Sequence, residues 1–199
     1  MTERESPFTR LDSRLISGLR LDSGPFIERL GEPHLEERGF SFSPGNEPFR
    51  KFTIGYGLNK KFLGKIYLMT LEGVLTVLVP VSIAGSLELG YRGLVRKGKP
   101  FFALKGSEDE GLMERHMIAV LNNQQSLLDA CGGLEVEFLK ILFEPREGSA
   151  RIQVRPYGGS LLRILLPPLH YHVRLIPEQA TLILKVMNQI GQILNQLIR

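Results

Sequence analysis

His170-Tyr171-His172 is the one local pair of histidines in the chain. Two histidines at i and i+2 on a strand lie on one side of it, where they could supply two ligands to a metal ion. The alternation of Leu169, Tyr171, Val173 and Leu175 assigns the core side to those four residues. His170, His172 and Arg174 are then expected to point outward together. A guanidinium beside two imidazoles disfavours a dication, and His34 and His116 fall on separate predicted helices. The pattern predicts a solvated polar face and no metal site.

Other chemistry-bearing residues are as sparse. Cys131 falls at the C-terminal end of a predicted helix, where the dipole opposes thiolate formation. No Gly-x-Ser-x-Gly elbow and no phosphate-binding glycine loop occurs. Gly55-Tyr56-Gly57 follows a strand but leads into Asn59-Lys60-Lys61 rather than a helix. Glu135 and Glu137 alternate with Leu134, Val136 and Phe138, as on an outer strand face, and do not form a carboxylate pair. No residue is assigned a catalytic role and no cofactor is implied. The balance is against an enzyme, with groups that converge from distant positions left open.

Charge is more informative. Residues 1–49 carry 6 Lys/Arg and 9 Asp/Glu, residues 50–105 carry 10 and 2, and residues 106–199 carry 9 and 10. The net +4 of the chain therefore belongs to its middle segment, which raises the expectation of an anionic partner. Lys60, Lys61, Lys65, Arg92, Arg96, Lys97 and Lys99 are the candidate partner- or anion-binding residues there, with Tyr56, Phe62, Tyr67 and Tyr91 interleaved. Cations with stacking aromatics on a sheet suit single-stranded nucleic acid. Lysines on an edge strand also serve simply to prevent sheet-to-sheet aggregation.

A second candidate surface is uncharged. The C-terminal helix shows Thr181, Asn188, Gln192, Asn195 and Gln196 with little charge, and an earlier helix carries Asn122-Asn123-Gln124-Gln125. Amides are buried in an interface at less desolvation cost than charges. Asn188, Gln192 and Asn195 are accordingly candidate interface residues for a protein or peptide partner or a second copy of the chain.

The elements that must position these residues read as an α+β arrangement. Lys65–Ile83 (KIYLMTLEGVLTVLVPVSI) reads as a central hairpin, with strands Ile66–Leu71 and Val74–Val81 turning at Glu72-Gly73. Residues 1–21 read as a flexible or loosely packed lead-in. A helix is predicted from Asp22-Ser23-Gly24-Pro25 towards Gly39, kinked or split at Pro33. Strands follow over 49–58, 86–96 and 101–104. Ser107-Glu108-Asp109-Glu110 reads as a capping box for a helix to about Cys131, ended by Gly132-Gly133. Strands over 134–143, 150–155, 161–166 and 169–176 precede a terminal helix from Pro177 to about Ile198. The expectation is antiparallel sheet packed against two long helices (about 107–131 and 177–198) plus a shorter N-terminal helix. Residues 22–199 form one domain in this reading, with two similar sheet-plus-helix halves, 49–131 and 134–198, as a variant.

The order helix, strands, long helix, strands, terminal helix resembles the α/β sandwich of type III secretion chaperones and related small adaptor domains. The resemblance spans most of the chain as element order, and no residue role is carried over from it. It implies a non-enzymatic adaptor. The longest uncharged stretch, Gly73–Leu87, is too short and too broken for a spanning helix. The lone cysteine and the charged N-terminus predict a soluble cytoplasmic protein. The leading expectation is a self-associating binding or adaptor protein for a protein or peptide. Its alternatives are a module for nucleic acid or another polyanion using residues 50–105, and a small-molecule or lipid pocket between sheet and helices.

Overall fold

The α+β expectation is met by one antiparallel sheet of ten strands with five helices gathered on one side of it. The structure, a computed structural model, describes residues 8–45, 48–61, 64–76, 85–92, 98–106, 111–164 and 169–197. In chain order the elements are α1 (Ser13–Asp22), α2 (Gly24–Leu30), β1 (His34–Glu36), β2 (Gly39–Phe42), β3 (Lys51–Lys61), β4 (Gly64–Thr76), β5 (Ser86–Tyr91) and β6 (Pro100–Lys105). There follow α3 (Leu112–Asn123), α4 (Gln125–Gly132), β7 (Val136–Glu144), β8 (Ser149–Pro156), β9 (Ser160–Ile164), β10 (Leu169–Val173) and α5 (Pro177–Leu197). The strand order is β1-β2-β3-β4-β8-β7-β5-β6, and β9 joins the first residues of β4 with β10 paired outside it.

Strand β4 is the organising element, but not as a hairpin. It runs unbroken through Glu72 and Gly73, which pair with Thr53 and Phe52 on one side and with Gln153 and Ile152 on the other. Residues 77–81 lie outside the described residues. Gly73 reads as a turn in sequence, yet its role is packing. A Cβ there would lie 2.5 Å from the Phe49 ring, which rests against the strand. Gly73→Ala should therefore cost about 1–3 kcal/mol in a urea titration, and Phe49→Leu should recover part of that loss in the double variant.

Period-two alternation divides the two faces. Tyr67, Met69, Leu71 and Leu75 of β4 are buried with Phe52, Ile54, Tyr56, Ile152 and Val154 under the helices. In α5, Ile183, Val186, Ile190 and Leu194 supply the opposing stripe. Gly191 lets α5 approach closely, since a Cβ would meet Pro48 and Leu75.

Several sequence-based expectations change. Within the expected lead-in, Ser13–Asp22 is a docked helix, with Leu15 and Leu19 in the core. Within that helix a Cβ on Gly18 would sit 3.0 Å from Leu161, so the glycine admits β9. The helix expected towards Gly39 ends at Gly31, whose φ of 88° suits glycine, and Leu35 is an exposed strand residue. The 107–131 helix is broken at Gln124, and its proposed capping box lies outside the described residues. The halves 49–131 and 134–198 are not side by side, because β8 and β7 insert between β4 and β5.

Candidate functional site

Two hairpins, β3–β4 and β9–β10, form a four-stranded arm at one end of the sheet. Paired residues in an antiparallel ladder share a face, so the register states what each face carries. Lys60 pairs with Lys65, Lys65 with Arg163, and Arg163 with His170. This row lies on the helix side of the sheet, one step beyond Tyr67, Leu161 and His172. The adjacent row, Ile66, Leu162 and Tyr171, lies on the opposite side with Ile164 and Leu169. The backbones of Lys60 and Lys61 are described, and their side chains lie outside the described residues.

A buried carboxylate fixes the outermost strand. Asp22, at the end of α1, has a side chain closed to solvent. It accepts from His172 Nε2 at 2.6 Å, from Arg174 Nε at 3.2 Å and from the Leu175 backbone N–H at 3.1 Å. The charge and the three donors compensate one another, as a buried carboxylate requires. The nearby Tyr56 hydroxyl is raised far above the ordinary phenol range by burial and by the Asp22 charge. The expectation of a solvated face fails for His172, which turns towards α1, and holds for Arg174, whose side chain reaches Asp22 while staying 58% exposed. Tyr171, Leu169 and Val173, assigned to the core by alternation, are 58, 48 and 40% exposed.

The cationic face is bounded by Asp12. This residue caps α1 by accepting from Arg14 N and Leu15 N, and its other partner is the Arg163 guanidinium at 3.2 Å. The Leu15 amide and Arg163 hold the Asp12 carboxyl below the usual range against a smaller opposing effect of burial. Arg163 also lies 5.2 Å from the centre of the buried Tyr67 ring. Lys65 is exposed and has no ion-pair partner among the described residues. A groove of about 320 Å³ is lined by Arg14, Leu161, Leu162, Arg163, His170, Tyr171 and His172, so residues of both rows border it.

Elsewhere the outward face of the sheet is polar and internally paired. Arg151 binds Glu144 at 2.8 Å and Glu147 at 3.1 Å and approaches Glu72, whose carboxylate accepts from Gln153 at 2.7 Å. Lys105 pairs with Glu88, and Lys51 with Glu36. Arg155 reaches Glu137 and covers Phe138. On the arm the same face is apolar, with Leu169, Tyr171 and Val173 exposed along a strand whose far edge no described strand pairs.

The candidate cations of the sequence separate into two groups. Lys60, Lys61 and Lys65 belong to the arm. Arg92 and Lys99 meet at the end of β5–β6, where Arg92 N donates to Lys99 O and the Arg92 guanidinium lies 5.5 Å from the Phe101 ring centre. Strands β8 and β7 stand between the two groups. Arg92 and Lys99 line a wider depression of about 730 Å³ with Phe101 and Gln125. Arg96 and Lys97 lie outside the described residues. Arg163 and Arg14 are not among the sequence candidates, His170 enters the sequence reading only as a possible metal ligand, and Asp22 only at a helix start. Pairing β9 with the start of β4 would have found Arg163, because it sets Arg163 beside Lys65.

The interface residues separate too. Asn188 is buried by the fold itself and its Oδ1 finds no hydrogen-bond partner among the described residues, so it is not presented to a partner. Gln192 is exposed and Asn195 half-buried; Gln192 faces a shallow cleft with Gln124, Gln189 and Gln196.

A sheet covered by helices on one side, with an arm carrying opposite chemistries on its two faces, defines an α+β protein. The chain belongs to the family described as a protein of unknown function (DUF3156), whose model matches residues 28–194. No curated protein and no solved structure matches it. Among the described residues no helix is long and apolar enough to cross a membrane.

Proposed function

We propose that this is a non-enzymatic binding protein that engages an anionic partner through the β3–β4/β9–β10 arm. The observation that carries the reading is the register-aligned row of Lys65, Arg163 and His170, prolonged by the Lys60 position and flanked by Arg14. Lys65, Arg163 and Arg14 carry three unit charges against the single Asp12 charge, which leaves a positive field at the end of the arm. The +8 of residues 50–105 is then only partly responsible, since Arg14 and Arg163 come from outside that segment.

Retention on heparin at low salt tests this. The wild-type chain is expected to bind and to elute as salt rises. Lys65→Glu with Arg163→Glu should abolish retention, whereas Arg92→Glu with Lys99→Glu should leave most of it. Asp12→Asn keeps a capping side chain on α1 and removes the opposing charge, so it should strengthen retention. Absence of binding at low salt, or loss that follows Arg92 and Lys99 instead, would sink the proposal.

A protein or peptide partner, or a second copy of the chain, is the other reading. The open edge of β10 with its exposed Leu169, Tyr171 and Val173 supports it, because an extended segment can add to such an edge.

A further inference from the structure

We infer that the anionic partner is single-stranded nucleic acid, with one nucleotide seated in the groove on the β9–β10 hairpin; this rests on the reading of the arm as an anion-binding site. The cations of the arm form a line across its strands. Lys65 of β4 pairs with Arg163 of β9, and Arg163 with His170 of β10. The row therefore advances one strand spacing, about 4.8 Å, at each step. Such a line suits a chain of phosphates better than a single anion, because successive phosphates meet successive side chains.

The groove at the end of this row adds what a plain polyanion would not use. Arg14 and Arg163 border it together with His170, Tyr171 and the aliphatic Leu161 and Leu162. Tyr171 comes from the apolar row and His170 from the cationic one, and both are exposed. Two flat side chains thus border the same groove as two guanidinium groups. Tyr56 and Tyr67 are buried and offer nothing to a base. Bases stack on exposed rings whatever their sequence, while lysine and arginine hold the phosphates. A carboxylated or sulfated polymer would meet the charges and leave the rings idle. A duplex, with its bases stacked inside, would do the same. Asp12 holds Arg163 at 3.2 Å and competes with phosphate for it, so Asp12→Asn should tighten binding.

Fluorescence anisotropy of the full chain with a short labelled single strand, set against an abasic strand and a duplex of equal length, decides the point. Binding to the single strand is expected to weaken as salt rises, and the abasic strand should bind about fivefold less tightly or worse. Tyr171→Ala should weaken the single strand by about fivefold or more and leave the abasic strand unchanged, whereas Tyr171→Phe should keep the affinity. Lys65→Gln with Arg163→Gln should weaken both strands alike and lower the salt dependence by about two phosphate contacts. A thermal melt of each variant reports whether it is folded. Running the single strand as RNA and as DNA names the sugar that is preferred. An abasic strand or a duplex that binds as tightly as the single strand would overturn the nucleotide seat and leave the anionic reading standing. Tighter binding of polyglutamate would reassign the arm to an acidic protein. Failure of every probe at low salt would end both readings.

Discussion

Replacement of Asp22 by alanine is expected to lower stability by about 2–4 kcal/mol, read as a fall in the urea midpoint with an unchanged slope. The carboxylate is closed to solvent, and its removal leaves the His172 imidazole, the Arg174 guanidinium and the Leu175 amide without their acceptor. The Leu175 amide and the half-buried His172 ring then lose hydration that nothing replaces, whereas Arg174, 58% exposed, returns to water. An asparagine side chain in the same place would keep an oxygen for the Leu175 amide but not the charge that holds both side chains. Asp22→Asn should therefore fall between wild type and Asp22→Ala. Because Asp22 ties β10 to α1, hydrogen exchange should rise first in β10 and β9. A uniform rise across the sheet would show that Asp22 supports the whole fold rather than its arm.

The second large effect is expected at Phe52. Its ring lies 6.1 Å from Phe26, 6.2 Å from Phe42 and 5.8 Å from Phe49, centre to centre, and all four are buried. These residues come from α2, β2, the segment before β3, and β3 itself, so one ring joins four parts of the chain. Phe52→Ala should cost about 3–5 kcal/mol, because so tightly contacted a site cannot collapse around the space left. Phe52→Leu should cost much less by the same urea assay. Equal losses for the two would point to the aromatic contacts rather than to the volume.

The sequence disclosed the elements better than their faces. Strand alternation located β7 to β10 and the terminal helix within a few residues, since hydrophobic period reports local backbone geometry. It misassigned β10, because the rule that apolar residues turn inward presumes a covered sheet. There the inward side meets Asp22 and the apolar side meets solvent. Gly73 failed for a related reason. A glycine marks either a turn or a close approach, and only the Phe49 ring, which reaches it through packing rather than through local sequence, distinguishes them. The cationic row was half legible: Lys60 and Lys65 are near in sequence, but Arg163 is 98 positions beyond Lys65 and joins it only through the β4–β9 register. Asp22 looked like a helix cap and proved to be the acceptor for residues about 150 positions away.

The position of β8 has a consequence for how the chain reaches its native state during synthesis. The strands on either side of the β7–β8 hairpin are made first, and the hairpin that joins them is made after α4. Until residues 136–156 emerge, β4 and β5 have no common neighbour, and each offers an unfilled edge. The nascent chain therefore holds two open sheet margins for the time needed to make the stretch from Tyr91 to Pro156, about a third of its length. Such margins invite wrong strand partners, and sheets dominated by distant pairings close slowly. The centre of this sheet is the part completed late, so a chain stopped before β7 would own the β1–β4 sheet and the β5–β6 hairpin with no strand to join them.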